Sequence, residues 1–306
     1  MAFRRFMEAA LYHPMHGYYL GDRDPFGKRG DFYTAEQLQP VFGILMARLV
    51  AGLKRELGDP ADFSVVELGA GRGEMAPAFA PYRYTPVEAG GDIPERITGV
   101  VFANEFFDAL PVDVLIRRGD GYREMHVGWR DDRCVWVEGP EAGGELAAHA
   151  AGYSGAIEEG GLLEVNLDAL RWVERIAARL ERGFLVAIDY GYTTRERLRF
   201  PQGTLMSYRR HTAIEDVLQE PGERDITAHV DFSALQDRCA RCGFEPVRFE
   251  TLARTLMRVG ETDQFAEALA AQAPAEQLRR RMQLKSLLFD MGEMFRVLLV
   301  GKDRTK

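Results

Sequence analysis

The chain has 306 residues, of which 46% are hydrophobic and 28% are charged. These fractions are typical of a folded globular protein, and they exclude a disordered tail protein, a collagen-like repeat and a small disulfide scaffold. The net charge of −8 also argues against nucleic acid as a partner, because a duplex-binding protein usually presents a basic face.

Neither a membrane span nor a secretion signal is predicted. No run approaches the ~20 consecutive apolar residues that a membrane helix needs. The first residues, Met1–Glu8, lack a long apolar core with a cleavage site after it. Cys239 and Cys242 form a C-x-x-C, but no second pair follows and no histidine lies at ligand spacing, so no metal site is expected. These features predict a cytoplasmic protein with ordinary thiols.

Two segments open the chain. Residues 1–38 are expected to form an ordered N-terminal arm, with one short helix at about 3–11 and many aromatic side chains that need a surface to pack on. Apolar residues at helical spacing then predict a helix from about Pro40 to Leu57, which Gly58-Asp59-Pro60 ends. The main domain is therefore expected over 39–306.

Short apolar runs at 63–68, 99–103 and 184–188 each end in a polar or glycine cluster. Helical segments such as 167–180 lie between them, and a last apolar run at 295–300 follows a helical stretch at 261–291. This alternation predicts an open α/β sheet of buried parallel strands, with ligands bound at the carboxyl ends of the strands.

Two stretches are not typical of this core. Residues 112–138 alternate between polar and apolar, which predicts antiparallel strands, and residues 195–232 are polar and irregular. Both are expected to be inserted cap segments, near 112–160 and 195–232, that cover the site.

The strongest local motif is a strand that runs into three alternate glycines. Glu67 precedes Gly69, Gly71 and Gly73, and a helix is expected to follow. Glycines allow a sharp bend and a close approach of the backbone to a ligand. The G-x-G-x-G spacing after an acidic residue favours S-adenosylmethionine (SAM) over a dinucleotide, whose enzymes use G-x-G-x-x-G. The alternative is a tight strand–helix turn without a ligand.

Two further groups of polar residues follow strands. Glu88 lies about 20 residues after the glycines, where a carboxylate can accept hydrogen bonds from ribose hydroxyls. Asn104, Glu105 and Asp108 follow the next strand, where carboxylates could orient a cation or accept a proton. The alternative for Asn104 is a helix N-cap with a charged first turn, and for Glu88 a surface turn.

The combination of motifs resembles the MidA-like methyltransferases, whose members include a mitochondrial protein that methylates an arginine of a respiratory complex I subunit. The resemblance covers nearly the whole chain in the same order. The matching segments are 6–14, 17–19, 30–34, the glycine loop, 104–111, 189–191, 225–232 and 291–295.

The resemblance implies a class I methyltransferase fold, Rossmann-like, with an open twisted sheet, helices on both faces, an N-terminal arm and inserted cap segments. It implies that SAM lies over the carboxyl ends of the strands, and from the motifs themselves we expect Glu67, Gly69, Gly71, Gly73 and Glu88 to bind it. Two segments depart from the family pattern. Ala35-Glu36-Gln37 replaces the usual serine, proline and glutamate, and the stretch from Glu88 to Val100 is too short for the crossover helix, strand and second helix that usually flank the adenine.

We therefore expect a SAM-dependent methyltransferase that acts on a protein side chain, by resemblance an arginine, with Asn104, Glu105 and Asp108 facing the acceptor. The arm carrying Tyr18, Tyr19, Asp31 and Thr34 is expected to close over the site. The alternative is a non-catalytic SAM-binding scaffold or assembly protein, which the short stretch after Glu88 favours. An NAD-dependent oxidoreductase does not fit the glycine spacing. The oligomeric state cannot be predicted.

Overall fold

The computed structural model describes residues 1–20, 35, 38–209, 212–214 and 216–303. Its α-helices are, in chain order, α1 (Phe3–Tyr12), α2 (Val41–Glu56), α3 (Ala76–Phe79), α4 (Gly144–Tyr153), α5 (Leu167–Arg179), α6 (Phe232–Arg241), α7 (Leu252–Gly260), α8 (Ala266–Leu269) and α9 (Pro274–Lys285). A π-helical turn at Ser286–Asp290 continues α9, and 3₁₀ turns lie at Glu196–Arg199 and Glu261–Asp263.

The strands are β1 (Ser64–Leu68), β2 (Arg83–Val87), β3 (Ile97–Asn104), β4 (Asp113–Arg118), β5 (Gly121–Arg130), β6 (Arg133–Glu141), β7 (Leu162–Val165), β8 (Leu180–Tyr192), β9 (Met206–Arg209), β10 (Thr212–Ile214), β11 (Asp225–Thr227), β12 (Val230–Asp231), β13 (Glu245–Thr251) and β14 (Phe295–Asp303). The helices predicted at 3–11, 40–57 and 167–180 and the strands predicted at 63–68, 99–103, 184–188 and 295–300 are all confirmed to within a few residues.

The chain divides into two compact units made of interleaved segments. The first unit contains residues 1–33, 108–171 and 192–235, and the second contains 34–107, 172–191 and 236–306. Most of the predicted arm and both predicted insertions therefore fall in the first unit. The motif at 30–34 and the departure at Glu36 and Gln37 lie outside the described residues.

A sheet dominates the second unit, with the order β13-β14-β8-β3-β1-β2. Strands β2, β1, β3 and β8 are parallel, whereas β14 runs antiparallel to both of its neighbours. These strands are rich in valine, isoleucine and leucine, which is typical of strands that are buried on both faces. The predicted open α/β sheet is confirmed.

Helices cover this sheet because its alternate residues are buried on each face. Val65, Phe102 and Val186 point to the face on which α2 and α7 contribute to a single apolar core. Val66 and Leu185, which point the opposite way, are also fully buried. Each fully buried aliphatic side chain of this kind contributes about 1.5–3 kcal/mol of transfer free energy, so burial on both faces is the main source of the stability of this unit.

The connection between β2 and β3 is only residues 88–96, and it forms a turn and bends. It contains neither a helix nor a strand, as the short stretch after Glu88 predicts. Among the described residues no strand pairs with the outer side of β2, which is therefore an edge strand. The Val87 carbonyl accepts from the Gly69 N–H, so the backbone groups of Val87 point toward β1. Successive residues of a strand direct these groups to opposite sides, so Pro86, which has no N–H, lacks its donor on the open side of β2. A proline at this place hinders pairing with another chain.

The first unit is built around an antiparallel sheet with the order β6-β5-β4-β7. Its presence confirms the antiparallel strands predicted over 112–138. Helix α1 packs on it through Phe3, Met7 and Leu11, and the Phe3 ring stacks on Trp136 with centroids 4.7 Å apart. The predicted irregular segment contains a second small sheet, β10-β9-β11. In the ranges that the structure covers, no helix combines the length and apolar character that crossing a membrane requires.

Candidate functional site

The parallel strands of the second unit end in register at one edge of the sheet. Leu68 of β1 pairs with Val87 of β2 and Ala103 of β3, and Ala103 pairs with Ala187 of β8. The residues that follow in the chain are therefore brought to the same edge. They are Gly69, Glu88, Asn104 and Ile188.

The glycine loop leaves β1 with an unusual backbone. Gly69, Gly71 and Gly73 have φ angles of 69°, 50° and 73°, all in the left-handed region that only glycine adopts at little cost. A Cβ on Gly69 would also lie 2.9 Å from Cδ2 of Phe106, closer than carbon atoms pack. The sequence pattern therefore has a conformational cause, and no other residue type fits this path well.

The helix expected after the glycines is present but short. Residues 71–75 form turns, and α3 is a single turn, Ala76–Phe79. Pro77 is tolerated at the start of the helix, but Pro81 has no N–H to donate to the Pro77 carbonyl, so the helix does not continue through it. Hydrogen-bond donors at this loop are therefore turn amides and not the amino end of a long helix.

Glu88 meets the glycine loop directly. Its Oε1 accepts a hydrogen bond of 3.0 Å from the Gly71 N–H, and the side chain is exposed. Since Glu88 follows β2 and Gly71 follows β1, the parallel pairing of the two strands sets this contact. The structure thus brings together two of the residues that were predicted to bind the cofactor.

Glu67 occupies a different environment. It lies within β1 and is fully buried, and its Oε2 accepts a 2.5 Å hydrogen bond from the Tyr84 hydroxyl of β2. Its alternation with Val65 and the contact with Tyr84 place the carboxylate on the face that carries α2. This hydrogen bond ties β1 to β2 directly beneath the glycine loop, a positioning contact that the motif alone does not reveal.

Asn104 is the last residue of β3, and Glu105 follows it. Glu105 has a φ of 50°, which is uncommon for a residue with a side chain, and its N–H donates to the Ile188 carbonyl of β8 at 2.9 Å. Its Oε1 accepts from the Ala35 N–H at 2.9 Å and from Nδ2 of Asn104 at 3.2 Å. Among the described residues, Oδ1 of Asn104 is buried without a hydrogen-bond partner. A carboxylate and an amide oxygen are therefore fixed side by side at the sheet edge.

Aromatic and charged side chains support this edge. Phe106 packs edge-on against Trp172 with centroids 5.1 Å apart, and the Arg175 guanidinium lies 3.9 Å from the centre of the Trp172 ring. Arg175 also donates to the Gly91 carbonyl of the β2–β3 connection at 2.8 Å. The sequence reasoning missed Trp172 and Arg175, because nothing in a helical pattern distinguishes an aromatic residue near a site from one in the core.

Asp189, which follows the apolar run at 184–188, is another residue at this edge that the sequence reasoning missed. It is fully buried, and its two oxygens accept from the N–H groups of Phe107 at 2.9 Å and Tyr190 at 3.0 Å. It therefore fixes the turn that follows Glu105. The rule that polar groups at strand ends belong to the site would have found it.

Asp108 belongs to the first unit. It is buried, and its carbonyl accepts from the Ala228 N–H at 3.0 Å. In the same unit the Tyr19 hydroxyl donates to Oδ1 of Asp225 at 2.8 Å. Burial, and then the negative charges of Asp225 and Asp108, hold the pKa of Tyr19 well above its usual value. Tyr18 is likewise packed in the core of this unit, whereas Asp31 and Thr34 lie outside the described residues.

The second unit offers the groups that SAM requires. The glycine loop presents backbone where side chains would clash, and Glu88 supplies an exposed carboxylate beside it. These residues fit a ligand that combines a nucleoside with an amino-acid portion. Within the described ranges, no three His, Cys, Asp or Glu side chains are grouped as a metal site needs. Cys239 is buried and burial raises its pKa to about 12, so it is not a reactive thiol.

Comparison with known proteins agrees with this arrangement. Residues 81–250, more than half of the chain, match the model of a family described as S-adenosyl-L-methionine-dependent methyltransferases. A Burkholderia thailandensis protein crystallised with S-adenosyl-homocysteine is 32% identical, with a TM-score of 0.87 over 99% of this chain and 88% of that one. A second crystal structure from the same organism gives a TM-score of 0.85 at 32% identity, over 99% of this chain and 87% of that one.

Curated relatives are more distant. The Drosophila melanogaster protein named "Protein arginine methyltransferase NDUFAF7 homolog, mitochondrial" is 27% identical over 76% of this chain, and its human counterpart is 26% identical over 76%. This chain spans 64% of the length of each. These names place the relatives in mitochondria and give no support to a cytoplasmic location for this chain, which stays a prediction.

The fold, the glycine loop and both kinds of comparison lead to one conclusion. The resemblance found in the sequence extends to the structure of the whole chain, and a relative of the same fold carries the product form of the expected cofactor. The chain belongs to the MidA-like family of SAM-dependent methyltransferases.

Proposed function

We propose that this protein transfers a methyl group from SAM to a protein side chain, the guanidinium of an arginine. The observation that carries the proposal is Glu105, a carboxylate held at the carboxyl end of β3 by a left-handed backbone and by hydrogen bonds from Ala35 and Asn104. Strained residues concentrate at functional sites, where the surrounding structure holds them in place. The names of the distant relatives support arginine as the acceptor.

Bound SAM would supply a methyl group that its sulfonium has already activated, so the protein mainly has to orient the acceptor and exclude water. Glu105 would pair with the guanidinium, since a carboxylate binds this group with two parallel hydrogen bonds. Oδ1 of Asn104 would accept an N–H of the same group, which would satisfy a buried oxygen. Localising the positive charge near Glu105 leaves the remaining nitrogen more nucleophilic.

The cofactor would be held at the carboxyl ends of β1 and β2, beside the end of β3 that carries Glu105. Gly69, Gly71 and Gly73 would let the backbone approach the methionine portion, and Glu88 would accept from the ribose hydroxyls. Glu67 would support the glycine loop by holding β1 to β2 through its hydrogen bond from the Tyr84 hydroxyl. Asp108 is proposed to face the acceptor as a second carboxylate.

Labelling with SAM that carries a radioactive methyl group tests the proposal. Purified protein is incubated with this SAM and a cell lysate, and the labelled protein and residue are identified. Replacing Glu105 with glutamine keeps the size of the side chain but removes the charge. We expect Glu105→Gln to bind SAM normally and to transfer methyl groups about 10²-fold more slowly.

The exposed Glu95 provides the matched control, since Glu95→Gln makes the same chemical change near the amino end of β3, away from the carboxyl ends of the strands. It should transfer methyl groups at the normal rate. Unchanged turnover in Glu105→Gln, or label on a residue other than arginine, would contradict the proposed role of Glu105 or the proposed acceptor, respectively.

A second candidate function is a SAM-binding scaffold without catalysis. It is favoured by the β2–β3 connection, which carries no helix or strand beside the edge strand β2. Calorimetry that detects SAM binding, together with a lysate in which no protein becomes labelled, would support this candidate and would remove the catalytic roles of Glu105 and Asp108.

A further inference from the structure

Glu88 is the first residue of a short turn. The Gly91 N–H donates to the Glu88 carbonyl at 2.8 Å, which closes a β-turn over residues 88–91. Two of the four residues are glycines, and ordering a glycine costs more conformational entropy than ordering any other residue. Residues 92–96, which link the turn to β3, form neither a helix nor a strand. The position of Glu88 therefore depends on the contacts that hold this turn to the rest of the second unit.

Arg175 of α5 holds the turn at its last residue. Its Nη2 donates to the Gly91 carbonyl at 2.8 Å. The same nitrogen lies 3.5 Å from Oδ1 of Asp92, but the Asp92 side chain is fully exposed, and an ion pair in water contributes little. The hydrogen bond to the Gly91 carbonyl is therefore the contact through which Arg175 fixes the turn, and the positive charge of the donor strengthens it.

Aromatic side chains fix the guanidinium in turn. It lies 3.9 Å from the centre of the Trp172 ring, which is three residues earlier in α5 and only 4% exposed. Phe106 packs edge-on against Trp172 and lies so close to Gly69 that a Cβ there would come within 2.9 Å of its ring. An arginine suits this position, because a planar guanidinium can stack on an aromatic face and still donate hydrogen bonds in its own plane.

These contacts form a closed ring that begins and ends at the glycine loop. Every member belongs to the second unit and contacts the next. In order around the ring they are Gly69, Phe106, Trp172, Arg175, Gly91, Glu88 and Gly71. The closing contact is the 3.0 Å hydrogen bond from the Gly71 N–H to Oε1 of Glu88. Arg175 is the link between α5 and the turn, so its loss opens the ring beside Glu88.

We propose that Arg175 is a positioning residue for the cofactor, which holds the turn at 88–91 and so keeps the Glu88 carboxylate in place for the ribose of SAM. This role rests on the proposed function, in which Glu88 accepts hydrogen bonds from the ribose hydroxyls. A carboxylate that is in place before the ligand arrives binds it more tightly, because the turn is ordered on folding and not on binding.

Isothermal titration calorimetry with S-adenosyl-homocysteine tests this role. Arg175→Met keeps an unbranched side chain that can pack on Trp172, but it removes the donor to Gly91. We expect the affinity to fall about tenfold, the effect of losing one hydrogen bond from a charged group. Arg179→Met is the matched control, since it makes the same change at an exposed position one turn further along α5, and it should bind like the parent. Circular dichroism and melting temperature verify that each variant is folded.

An analogue of S-adenosyl-homocysteine in which hydrogens replace both ribose hydroxyls separates positioning from general support of the fold. Glu88 has no hydroxyl to accept from in this analogue, so Arg175→Met and the parent should bind it within about twofold of each other. Glu88→Gln should itself weaken binding of S-adenosyl-homocysteine. Adding Arg175→Met to Glu88→Gln should then cost less than about twofold, because the two residues act through one contact.

Three results would overturn the proposal. Arg175→Met could bind S-adenosyl-homocysteine like the parent, it could lose equal affinity for both ligands, or its effect could be undiminished in the Glu88→Gln background. Unchanged affinity in Glu88→Gln alone would remove Glu88 from the cofactor site and this role of Arg175 with it. None of these measurements needs an acceptor, so they leave methyl transfer and the role of Glu105 to be decided by the labelling experiment.

Discussion

Backbone conformation marks the functional edge of the sheet more clearly than side-chain type does. Gly69, Gly71, Gly73 and Glu105 all have positive φ angles, and they all follow carboxyl ends of neighbouring strands. Glycine adopts this conformation at little cost, whereas Glu105 loses about 1–2 kcal/mol relative to an ordinary backbone. The sequence predicted the glycine turns, but it could not predict the strain at Glu105, because a glutamate carries no signal of its φ angle.

Gly71→Val tests the glycine loop. Valine at a φ of 50° is strained. Its side chain would also lie next to the N–H of residue 71, which donates a hydrogen bond to Glu88. We expect SAM affinity to fall at least about tenfold, the equivalent of the ~1.4 kcal/mol that such strain can cost, while the sheet remains folded. Isothermal titration calorimetry measures the affinity. Gly90→Ala is the control, since Gly90 has no positive φ and an added Cβ would meet open space. Equal affinity in Gly71→Val and the parent would remove the loop from the cofactor site.

A carboxyl at the start of β4 should make stability depend on pH. Burial raises the pKa of Asp113 to about 6, and the positive charge of Arg4 counters this only in part. The folded protein therefore binds the proton more tightly than the unfolded chain. The charged carboxylate therefore lowers the free energy of unfolding. This loss of stability is complete above about pH 6, where Asp113 is ionised in the folded state, and is absent below about pH 4, where it is protonated in both states.

Asp113→Asn removes this penalty. At pH 7 to 8 we expect the variant to be more stable than the parent by about 1–2 kcal/mol, a figure reduced from the full shift because the side chain is not fully buried. The advantage should shrink steadily as the pH falls toward 5. Urea unfolding at several pH values measures it, and an advantage that stays constant with pH would show that the charge of Asp113 is not its cause.

At the scale of elements, the sequence predicted the strands and their shared edge well, because buried parallel strands are apolar throughout and end abruptly in polar residues. It predicted a helix after the glycines but not its length: α3 is a single turn, because Pro81 has no N–H to donate to the Pro77 carbonyl. The hydrogen bond between Glu67 and Tyr84 could not be predicted from the sequence either, because it depends on the register of β1 against β2.

Because the β2–β3 connection is short, we expect the protein to discriminate weakly between SAM and analogues with a modified adenine. It consists of a turn and bends, and it is tied to α5 by the hydrogen bond from Arg175 to Gly91. With neither a helix nor a strand here to flank the adenine, we expect micromolar or weaker binding of SAM, at most about 8 kcal/mol of binding free energy. A SAM analogue with a bulky substituent on the adenine amino group should bind within about tenfold of SAM itself, a difference below ~1.4 kcal/mol. Competition calorimetry measures both, and nanomolar, strictly adenine-selective binding would count against this view.

At the scale of the molecule, the chain divides into two interleaved units, and the first of them joins distant parts of the sequence. Three separate stretches form the first unit, and they share one core in which Phe3 of α1 stacks on Trp136 of β6. Such a core joins residues more than a hundred positions apart in the chain. Periodicity reports only neighbours along the chain, so it predicted α1 and the antiparallel strands over 112–138 but says nothing of the core that they share.

The net negative charge of the molecule should attract a basic acceptor protein at long range. A chain with a charge of −8 attracts a cationic protein over distances that salt controls, since the Debye length falls from about 30 Å at 0.01 M to about 8 Å at 0.15 M. If the acceptor is an arginine in a basic protein, raising the salt over this range should lower kcat/KM about three- to tenfold and leave kcat nearly unchanged, because long-range attraction speeds encounter and not the transfer step. Initial rates of methyl labelling at low and at saturating acceptor separate the two constants. SAM affinity, measured by calorimetry in the same buffers, should change much less and serves as the control. A kcat/KM that does not respond to salt would mean that contacts at the site, such as those of Glu105, select the acceptor without help from the charge of the molecule.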